Sequence, residues 1–280
     1  MRGTGQNLAL TRAEIVAIRK AVVQTVDAEI VGRRMCYIDR DVPRKARRYQ
    51  YHTVTDPQAA QVIDIGGKIP RDSVKLTPTS AKIVKLAQGF TISKEDIDGK
   101  HIKTVNAVRA ARTISRLEND LIWNSADEPD VDGVIDDAGN TNAGTAAWSG
   151  GVGVAYPVED VATGIANLVV DGFKPPFDLV LEATNFGEAE FRQASLNRTE
   201  LEIIAAMKNI NNIYTDPELP HGTAVLIKPG MENVVLGQAY DIEQLGPFFD
   251  EDNEVWNFNL TMRETVAILQ PNSINTVTGL

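Results

Sequence analysis

Residues 101–124 read HIKTVNAVRAARTISRLENDLIWN, and this segment has the longest helical pattern in the chain. Its apolar side chains recur at the spacing of one helix face, and no Gly or Pro interrupts them. That face consists of Val105, Val108, Ile114, Leu117 and Leu121. At about 1.5 Å per residue such a helix would be roughly 35 Å long. We therefore predict a single long helix, called the spine helix below, that forms the backbone of a domain.

A second amphipathic helix is predicted before it, over residues 12–31. Thr11 and Glu14 have the spacing of a capping box, in which each side chain accepts a hydrogen bond from the other residue's backbone amide. Gly32 is a typical residue to end the helix. The apolar positions between these signals recur at three- and four-residue steps: Ile15, Ile18, Val22, Val26 and Ile30.

A basic run follows this helix and leads to Tyr49, Tyr51 and His52. It contains Arg33, Arg34, Arg40, Arg44, Lys45, Arg47 and Arg48. Basic residues with interleaved aromatics are typical of a nucleic-acid interface. A solvated arm whose cations pair with acidic neighbours is the simpler interpretation, and the sequence favours it.

The extended segments lie at the two ends of the chain. Residues 50–80 have no sustained helical period, and we predict a long two-stranded excursion there, because unstructured loops of that length are uncommon unless they have a function. Residues 81–93 are predicted to be extended. Near the C-terminus, Trp256, Phe258, Leu260 and Met262 alternate with polar residues, and a second strand is predicted from 265 to 270.

The middle of the chain mixes both kinds of element. Helices are predicted near 158–170, 185–195 and 200–207, and strands near 177–181, 213–214, 224–228, 234–237 and 240–242. There is no regular βαβ series and no internal repeat, which argues against Rossmann, TIM-barrel and solenoid folds. The sequence therefore predicts an α+β fold.

Composition argues against catalysis and against a metal or cofactor site. Of 280 residues, 43% are hydrophobic and 24% charged, which is ordinary for a folded protein. Three histidines and one cysteine exclude a disulfide framework and leave little for zinc. Cys36 is predicted to be a small buried hydrophobe. The acidic cluster at 250–254 has the oxygen ligands of a hard cation, but a solvated turn is the favoured interpretation. The Gly-rich segment 150–153 lacks the preceding strand and the following helix that a phosphate-binding loop requires.

Charge is distributed unevenly along the chain. Residues 1–50 contain 11 Lys and Arg against 5 Asp and Glu, a net charge of +6, while the whole chain carries −10. The remaining residues therefore carry −16, so different faces can have different potentials. The first ten residues do not have the pattern of a signal peptide, and no window approaches 18 uninterrupted apolar residues, so a cytoplasmic protein without a membrane partner is expected.

Several segments, taken in order, resemble the encapsulin shell proteins, also known as the linocin-type bacteriocin family. These segments are Leu10-Thr11 with the following helix, 31–34, Leu117 to Trp123, 131–134, Phe177 to Leu181, 235–238 and Thr265 to Pro271. The resemblance implies an HK97-like capsid fold, as in the major capsid proteins of tailed phages. It also implies a division into an N-terminal lumenal helix and arm (1–49), an extended loop (50–80), a peripheral domain with the spine helix (81–125), an axial domain (126–253) and C-terminal strands of the peripheral domain (254–280).

The same resemblance implies a structural role and no enzymatic one. Many copies would form a closed icosahedral shell, and a cargo enzyme would dock inside through a short C-terminal peptide. The positions matching the family's cargo site are Ile15, Ile18, Ile30, Arg33 and Met35; packing within the chain is an equal alternative for Ile15 and Ile18. The positions matching its fivefold pore are Ala194, Ser195, Leu196, Asn197 and Arg198. Ser93 to Glu95 stand where some members hold flavin near a tryptophan, so no flavin is predicted.

An alternative of the same fold is a viral or proviral major capsid protein that encloses DNA. The basic run at 33–48 supports this alternative. So does the Asn- and Gly-rich segment near 136–155, which is longer than expected for an encapsulin. Both functions imply a homo-oligomer, and they differ in what the shell contains.

Overall fold

Two β-sheets are connected by the spine helix. The computed structural model describes residues 10–54, 76–98, 104–148, 156–190, 192–193 and 197–280. The helices in these ranges are α1 (Arg12–Glu29), α2 (Gly32–Met35), α3 (Lys94–Asp98), α4 (Val105–Asn124), α5 (Tyr156–Val170), α6 (Ala183–Ala189) and α7 (Glu200–Ala205). The strands are β1 (Tyr37–Asp39), β2 (Arg48–Val54), β3 (Leu76–Lys82), β4 (Val84–Ser93), β5 (Asn140–Ala143), β6 (Phe177–Leu181), β7 (Arg192–Gln193), β8 (Arg198–Thr199), β9 (Ile210–Thr215), β10 (Thr223–Ile227), β11 (Val234–Asp250), β12 (Val255–Ile268) and β13 (Ile274–Thr278).

The first sheet has the strand order β1-β11-β12-β4. β11 and β12 form a long antiparallel hairpin, and β4 pairs antiparallel with β12. The alternation predicted for residues 256–262 is confirmed from Phe258 onward, because Phe258, Leu260 and Met262 all lie in one apolar core. The helices α1 and α4 contribute the other side of that core. They therefore cover one face of the first sheet and leave the other face uncovered.

The second sheet has the strand order β5-β13-β10-β6-β9. Every residue of β6 and β10 is buried, which explains why both strands are mostly apolar and show no regular alternation, with Asp178 and Thr223 as their polar residues. One face of the sheet packs with α5 and α7 in an apolar core that includes Leu168 and Ile204. Another core lies where the C-terminal end of α4 meets both sheets, around Trp123.

The spine helix is confirmed over Val105–Asn124, and residues 101–103 lie outside the described ranges. The N-terminal helix is confirmed as α1, including its capping box. Gly32 does not end α1: the chain turns extended at Ile30, and Gly32 begins α2. No helix in the described part of the chain is long and apolar enough to cross a membrane.

The sheets divide the chain differently from the predicted boundaries in two places. The predicted axial segment 126–253 includes β11, but β11 pairs with β12 over most of its length and lies in the first sheet. The predicted peripheral segment 254–280 includes β13, but β13 pairs with β10 and β5 in the second sheet. The switch follows the 3₁₀ turn Pro271–Ser273, because Pro271 cannot continue the ladder of β12.

Candidate functional surfaces

The inward face of α1 is part of the core that it shares with the spine helix. Ile18, Val22 and Val26 are buried on this face, and Ile30 follows at 3% exposure. Ala107, Ala111 and Ile114 of α4 belong to the same apolar core. Fully burying one aliphatic side chain contributes about 1.5–3 kcal/mol relative to exposure, so this contact holds α1 firmly on the spine.

The positions predicted to contact cargo divide between this core and its edge. Ile18, Ile30 and Met35 are buried inside the chain, with Met35 in the core around Trp123, so the structure does not present them to a docking peptide. For Ile18 the alternative of packing within the chain is the correct one. Ile15 is half-buried at the edge of the first core. Arg33 is mostly buried and takes part in the ion cluster described below.

The outward face of α1 carries exposed apolar side chains that lie outside the predicted stripe. Val16 and Val23 are 58% and 39% exposed. Their seven-residue spacing places them on one side of the helix, with Arg19 and Lys20 exposed between them. Sequence reasoning missed both valines. A signal was available, since a β-branched apolar residue opposite the buried stripe lowers helix propensity without adding to the core.

The break between α1 and α2 is stabilised by the spine helix. The side chain of Asn119 accepts a hydrogen bond from the Gly32 amide at 3.1 Å and donates one to the Glu29 carbonyl at 3.2 Å. It thereby satisfies backbone groups that a helix end leaves without partners. A Cβ atom on Gly32 would lie 2.7 Å from Cδ1 of Ile122, so only glycine fits this crossing without displacement.

Arg33 is the centre of a buried ion cluster that joins α2, the spine helix and the first sheet. It pairs with Glu118 of α4, with Asp241 of β11 at 2.9 Å and with Glu264 of β12 at 3.7 Å. The side chains of Glu118 and Glu264 are 0% exposed. One guanidinium therefore faces two fully buried carboxyl groups, and the exposed Asp241 lies at the margin.

Burial controls the protonation of this cluster. It raises the pKa of Glu118, an effect that Arg33 opposes, and it raises the pKa of Glu264 much further, with the Glu118 charge adding to the rise. Burial alone lowers the pKa of Arg33, but the two carboxylates outweigh it and the net pKa is raised. Burial therefore favours the protonated form of Glu264 beside the Arg33–Glu118 ion pair. Cys36 nearby is half-buried, and desolvation raises the pKa of its thiol, which favours the uncharged form.

Three of the seven cations in the basic run pair with acidic neighbours, which agrees with the interpretation that the sequence favours. In addition to Arg33, Arg44 pairs with Glu243, and Arg48 pairs with Asp130 at 2.8 Å. The last of these pairs lies at the base of the β2–β3 hairpin, where Lys82 also pairs with Glu128 at 2.6 Å. The predicted excursion is thus confirmed as two antiparallel strands anchored at their base, and residues 55–75 lie outside the described ranges.

The described pore positions, Asn197 and Arg198, lie at the short hairpin of β7 and β8. Strands β7 and β8 pair Arg192 with Thr199 and Gln193 with Arg198. Asn197 has a left-handed backbone with φ of 51°, as is common for asparagine in tight turns. Arg198 begins β8 and is exposed. Ala194, Ser195 and Leu196 lie outside the described residues.

The acidic cluster is the turn that joins β11 to β12. Asp250 accepts hydrogen bonds from the Asp252 amide at 3.1 Å and from the Asn253 side chain at 2.9 Å. These bonds, led by that of the Asn253 side chain, lower the pKa of Asp250. The described residues contain no group of three or more His, Cys, Asp or Glu side chains arranged to hold a metal ion. Residues 251–254 of this turn are exposed.

Comparison with known sequences identifies relatives along most of the chain. The profile of a family described as "Encapsulating protein for peroxidase" matches residues 6–267. A diheme-cytochrome-encapsulin shell fusion protein from Kuenenia stuttgartiensis is 26% identical over 238 residues, which are 82% of this chain. The match spans 64% of the length of that curated relative.

Comparison with solved structures identifies the fold. The virus-like particle from Pyrococcus furiosus superposes with a TM-score of 0.69 at 10% identity, covering 93% of this chain and 97% of that one. A chain from Mycobacterium phage Ogopogo gives a TM-score of 0.66 at 14% identity, covering 89% and 92% of the two chains. The capsid of a native GTA particle gives 0.64 at 15% identity, covering 91% and 90%. The predicted HK97-like capsid fold is thus confirmed.

Proposed function

The chain belongs to the encapsulin family of shell-forming structural proteins, and on that premise we propose that many copies close into an icosahedral compartment enclosing a cargo enzyme. The subunit's role is structural and not enzymatic. The subunit acts through contacts with other copies, because a closed shell requires each copy to present several modest surfaces that repeat around rotation axes.

One observation supports the compartment over the viral capsid. The family match begins at residue 6 and therefore includes α1, which lies on the spine helix with its inward face buried. Each subunit thus has a fixed helical surface beside the spine. A shell built from such subunits would display many copies of that surface toward a single interior.

The cargo site in this proposal is the outward face of α1, with Ile15 at its edge. Val16 and Val23 are exposed apolar anchors one helical repeat apart, and Lys20 lies between them. A short peptide with apolar and acidic residues would fit this surface. Weak binding at each subunit is sufficient, because many identical sites on one inner wall raise the effective concentration of cargo.

Contacts between subunits would involve the β2–β3 hairpin, which extends from a base of ion pairs. Strand β4 is an edge of the first sheet, and an edge strand can accept main-chain hydrogen bonds from a neighbouring copy. The β7–β8 turn would line an opening at a rotation axis. The basic segment 1–50 would face the lumen, and the acidic remainder would dominate the exterior.

Purification of the assembled particle tests this function. Electron microscopy should show closed shells, and gel electrophoresis should show a second, discrete protein. The ratio of absorbance at 260 and 280 nm should be that of protein alone. Shells filled with nucleic acid would assign the viral alternative, and recovery of monomers at every salt and protein concentration would exclude both.

The cargo site can be tested with two matched double variants. Val16→Glu with Val23→Glu should leave shells intact and lower the amount of co-purifying protein, because each buried valine contributes about 1.5 kcal/mol, or roughly tenfold in affinity. Ala17→Glu with Gln24→Glu is the control, since it adds the same charges at exposed positions one residue further along. Equal cargo in both would contradict the assigned surface.

A further inference from the structure

A basic groove crosses the face of the first sheet that α1 and α4 leave uncovered. Its volume is about 580 Å³, and it lies between the arm at residues 44–46 and strands β4, β11 and β12. Its charged and aromatic lining comprises Arg44, Lys45, Lys85, Tyr240, Glu243 and Arg263. Four cations and one carboxylate therefore converge there in a chain whose net charge is −10.

The groove is held in shape by the cations at its rear. Arg263 donates hydrogen bonds to the carbonyls of Arg44 at 3.0 Å and Ala46 at 2.8 Å, which fastens the arm to the sheet. The Arg44 guanidinium stacks 4.7 Å from the centre of the Tyr240 ring and pairs with Glu243. Lys45 and Lys85 are exposed, and no ion pair involves them among the described residues. These two lysines are the groove's free charges.

A surface of complementary chemistry lies at the far end of the β11–β12 hairpin. The turn there carries Glu251 and Asp252, which are exposed and form no ion pair within the described part of the chain. Beside them Phe248 and Phe249 are 56% and 41% exposed. The turn thus combines acidic and aromatic groups, and the groove combines basic groups with the apolar side chain of Leu245.

The turn of one copy cannot fill the groove of the same copy. Leu245 lines the groove and pairs with Asn259, whereas Asp250 pairs with Val255, four residues along β12 and thus about 13 Å away at 3.3 Å per residue. The hairpin is paired up to Asp250 and Val255, and Val255 also pairs with Ser93 of β4. The end of the hairpin is therefore held away from the groove by two ladders of hydrogen bonds.

We propose that the basic groove receives the acidic and aromatic turn at residues 248–252 of a second copy of this chain. This inference rests on the proposed function, because it describes one contact within the shell. The contact joins two different surfaces, so it is heterologous, and such contacts close into rings around a rotation axis. Like charges placed across such a contact would oppose it strongly.

Features of the groove favour an acidic protein segment over nucleic acid. Glu243 lies inside it, and Leu245 and Ile83 give it apolar lining that a phosphate backbone would not use. A nucleic acid also requires a track of cations that follows its backbone. Here the cations converge on one cavity, and the rest of the chain beyond residue 50 is acidic.

Charge exchange tests the contact. The groove variant is Lys45→Glu with Lys85→Glu, and the turn variant is Glu251→Lys with Asp252→Lys. Each should lower the fraction of chains in particles at least about tenfold, because two like-charged surfaces then meet. The variant that carries all four substitutions should assemble as the wild type does. Circular dichroism and thermal unfolding of each protein, which should match the wild type, verify that the fold is intact.

Mixing provides a second measurement that depends only on contact between copies. The groove variant has an acidic groove and an acidic turn, and the turn variant has a basic groove and a basic turn. Neither should associate alone, whereas an equal mixture should form oligomers by light scattering. Failure of the mixture to associate would overturn the proposal.

The remaining outcomes separate this contact from the proposed function. Wild-type shells with unimpaired assembly of the groove and turn variants would overturn the contact alone. Failure of the fourfold variant to regain assembly would do the same. A groove variant that assembles but loses absorbance at 260 nm would assign the groove to nucleic acid. Wild-type protein that never assembles would remove the proposed function and this contact with it.

Discussion

Two ion pairs connect the N-terminal helices to the spine helix, and they differ in how much water reaches them. Arg112 of α4 pairs with Glu29 of α1 at 2.9 Å, with side chains 57% and 34% exposed. Arg33 of α2 pairs with Glu118 of α4, with side chains 12% and 0% exposed. Each pair joins an N-terminal helix to the spine helix, and the two pairs differ most in the burial of their charges.

Water screens the exposed pair and would solvate either partner alone, so the pair has little influence on stability. The buried pair has no such alternative, because each charge depends on the other once it has left water. Replacing the whole cluster with apolar groups can be neutral or stabilising, so the cluster does not have to increase the free energy of unfolding. Its effect is selective: the chain between α1 and α2 can lie on the spine in only one register without leaving a buried charge unpaired.

The largest expected effect comes from breaking the buried pair on one side. Glu118→Ala would remove the fully buried carboxylate that pairs with Arg33 and leave the guanidinium with Glu264 at 3.7 Å and the marginal Asp241 at 2.9 Å. We expect the free energy of unfolding to fall by about 3–5 kcal/mol. Urea unfolding followed by tryptophan fluorescence, at one protein concentration for all variants, measures it. A loss below 1 kcal/mol would make the buried pair equivalent to the exposed one.

A smaller effect is expected from the backbone crossing beside that pair. Gly32→Ala would place a Cβ atom 2.7 Å from Ile122 Cδ1, and we expect a loss of about 1–3 kcal/mol by the same measurement. Gly187→Ala is the control, because nothing lies within 4 Å of its Cβ position. There the change should be neutral or slightly stabilising, since alanine favours the helix. Equal losses at the two glycines would contradict a crossing that requires close approach.

The cluster should also make stability depend on pH. Burial raises the pKa of Glu264 well above its ordinary value of 4.5, so the folded chain binds a proton that the unfolded chain releases. This contribution to stability is fully present below pH 4.5 and is lost as pH rises through the raised pKa. Glu264→Gln keeps a neutral side chain at every pH. The free energy of unfolding of this variant should therefore decline less with rising pH than that of the wild type. Parallel pH profiles for the two proteins would contradict the raised pKa of Glu264.

The smallest effect is expected at the exposed pair. Glu29→Ala removes the partner of Arg112 and should change the free energy of unfolding by at most about 1 kcal/mol. The difference from wild type should shrink further in 1 M salt, because salt screens exposed charges. A loss as large as that of Glu118→Ala would show that burial does not distinguish the two pairs.

Local pattern accounts for the elements that were predicted well. The capping box at Thr11, the stripe of α1 and the strand β6 depend on neighbours within a few residues. The predicted face of α4 is only partly correct, because Ile114 and Leu121 are buried whereas Val105 and Leu117 are exposed. The ion cluster could not be predicted in this way, because Arg33 and Glu264 are far apart in the chain. Its sequence signal was two adjacent polar residues, Glu118 and Asn119, near the apolar end of a helix. That pattern indicates an unusual site, but it does not identify the distant residues that pair with Glu118 and Asn119.

Short-range signals predicted most helices and strands, because hydrophobic period, capping and turn residues act between near neighbours. The helix predicted near 185–195 was wrong at its end, since α6 ends at Ala189 and Arg192–Gln193 form β7. How each face is used depends on the tertiary structure. It placed Ile18, Ile30 and Met35 in the core and left Val16 and Val23 outside, and it moved β13 into the second sheet. The physical reason is that burial and strand pairing depend on contacts between distant segments. A period of 3.6 or 2 residues defines a face but does not specify what will cover it.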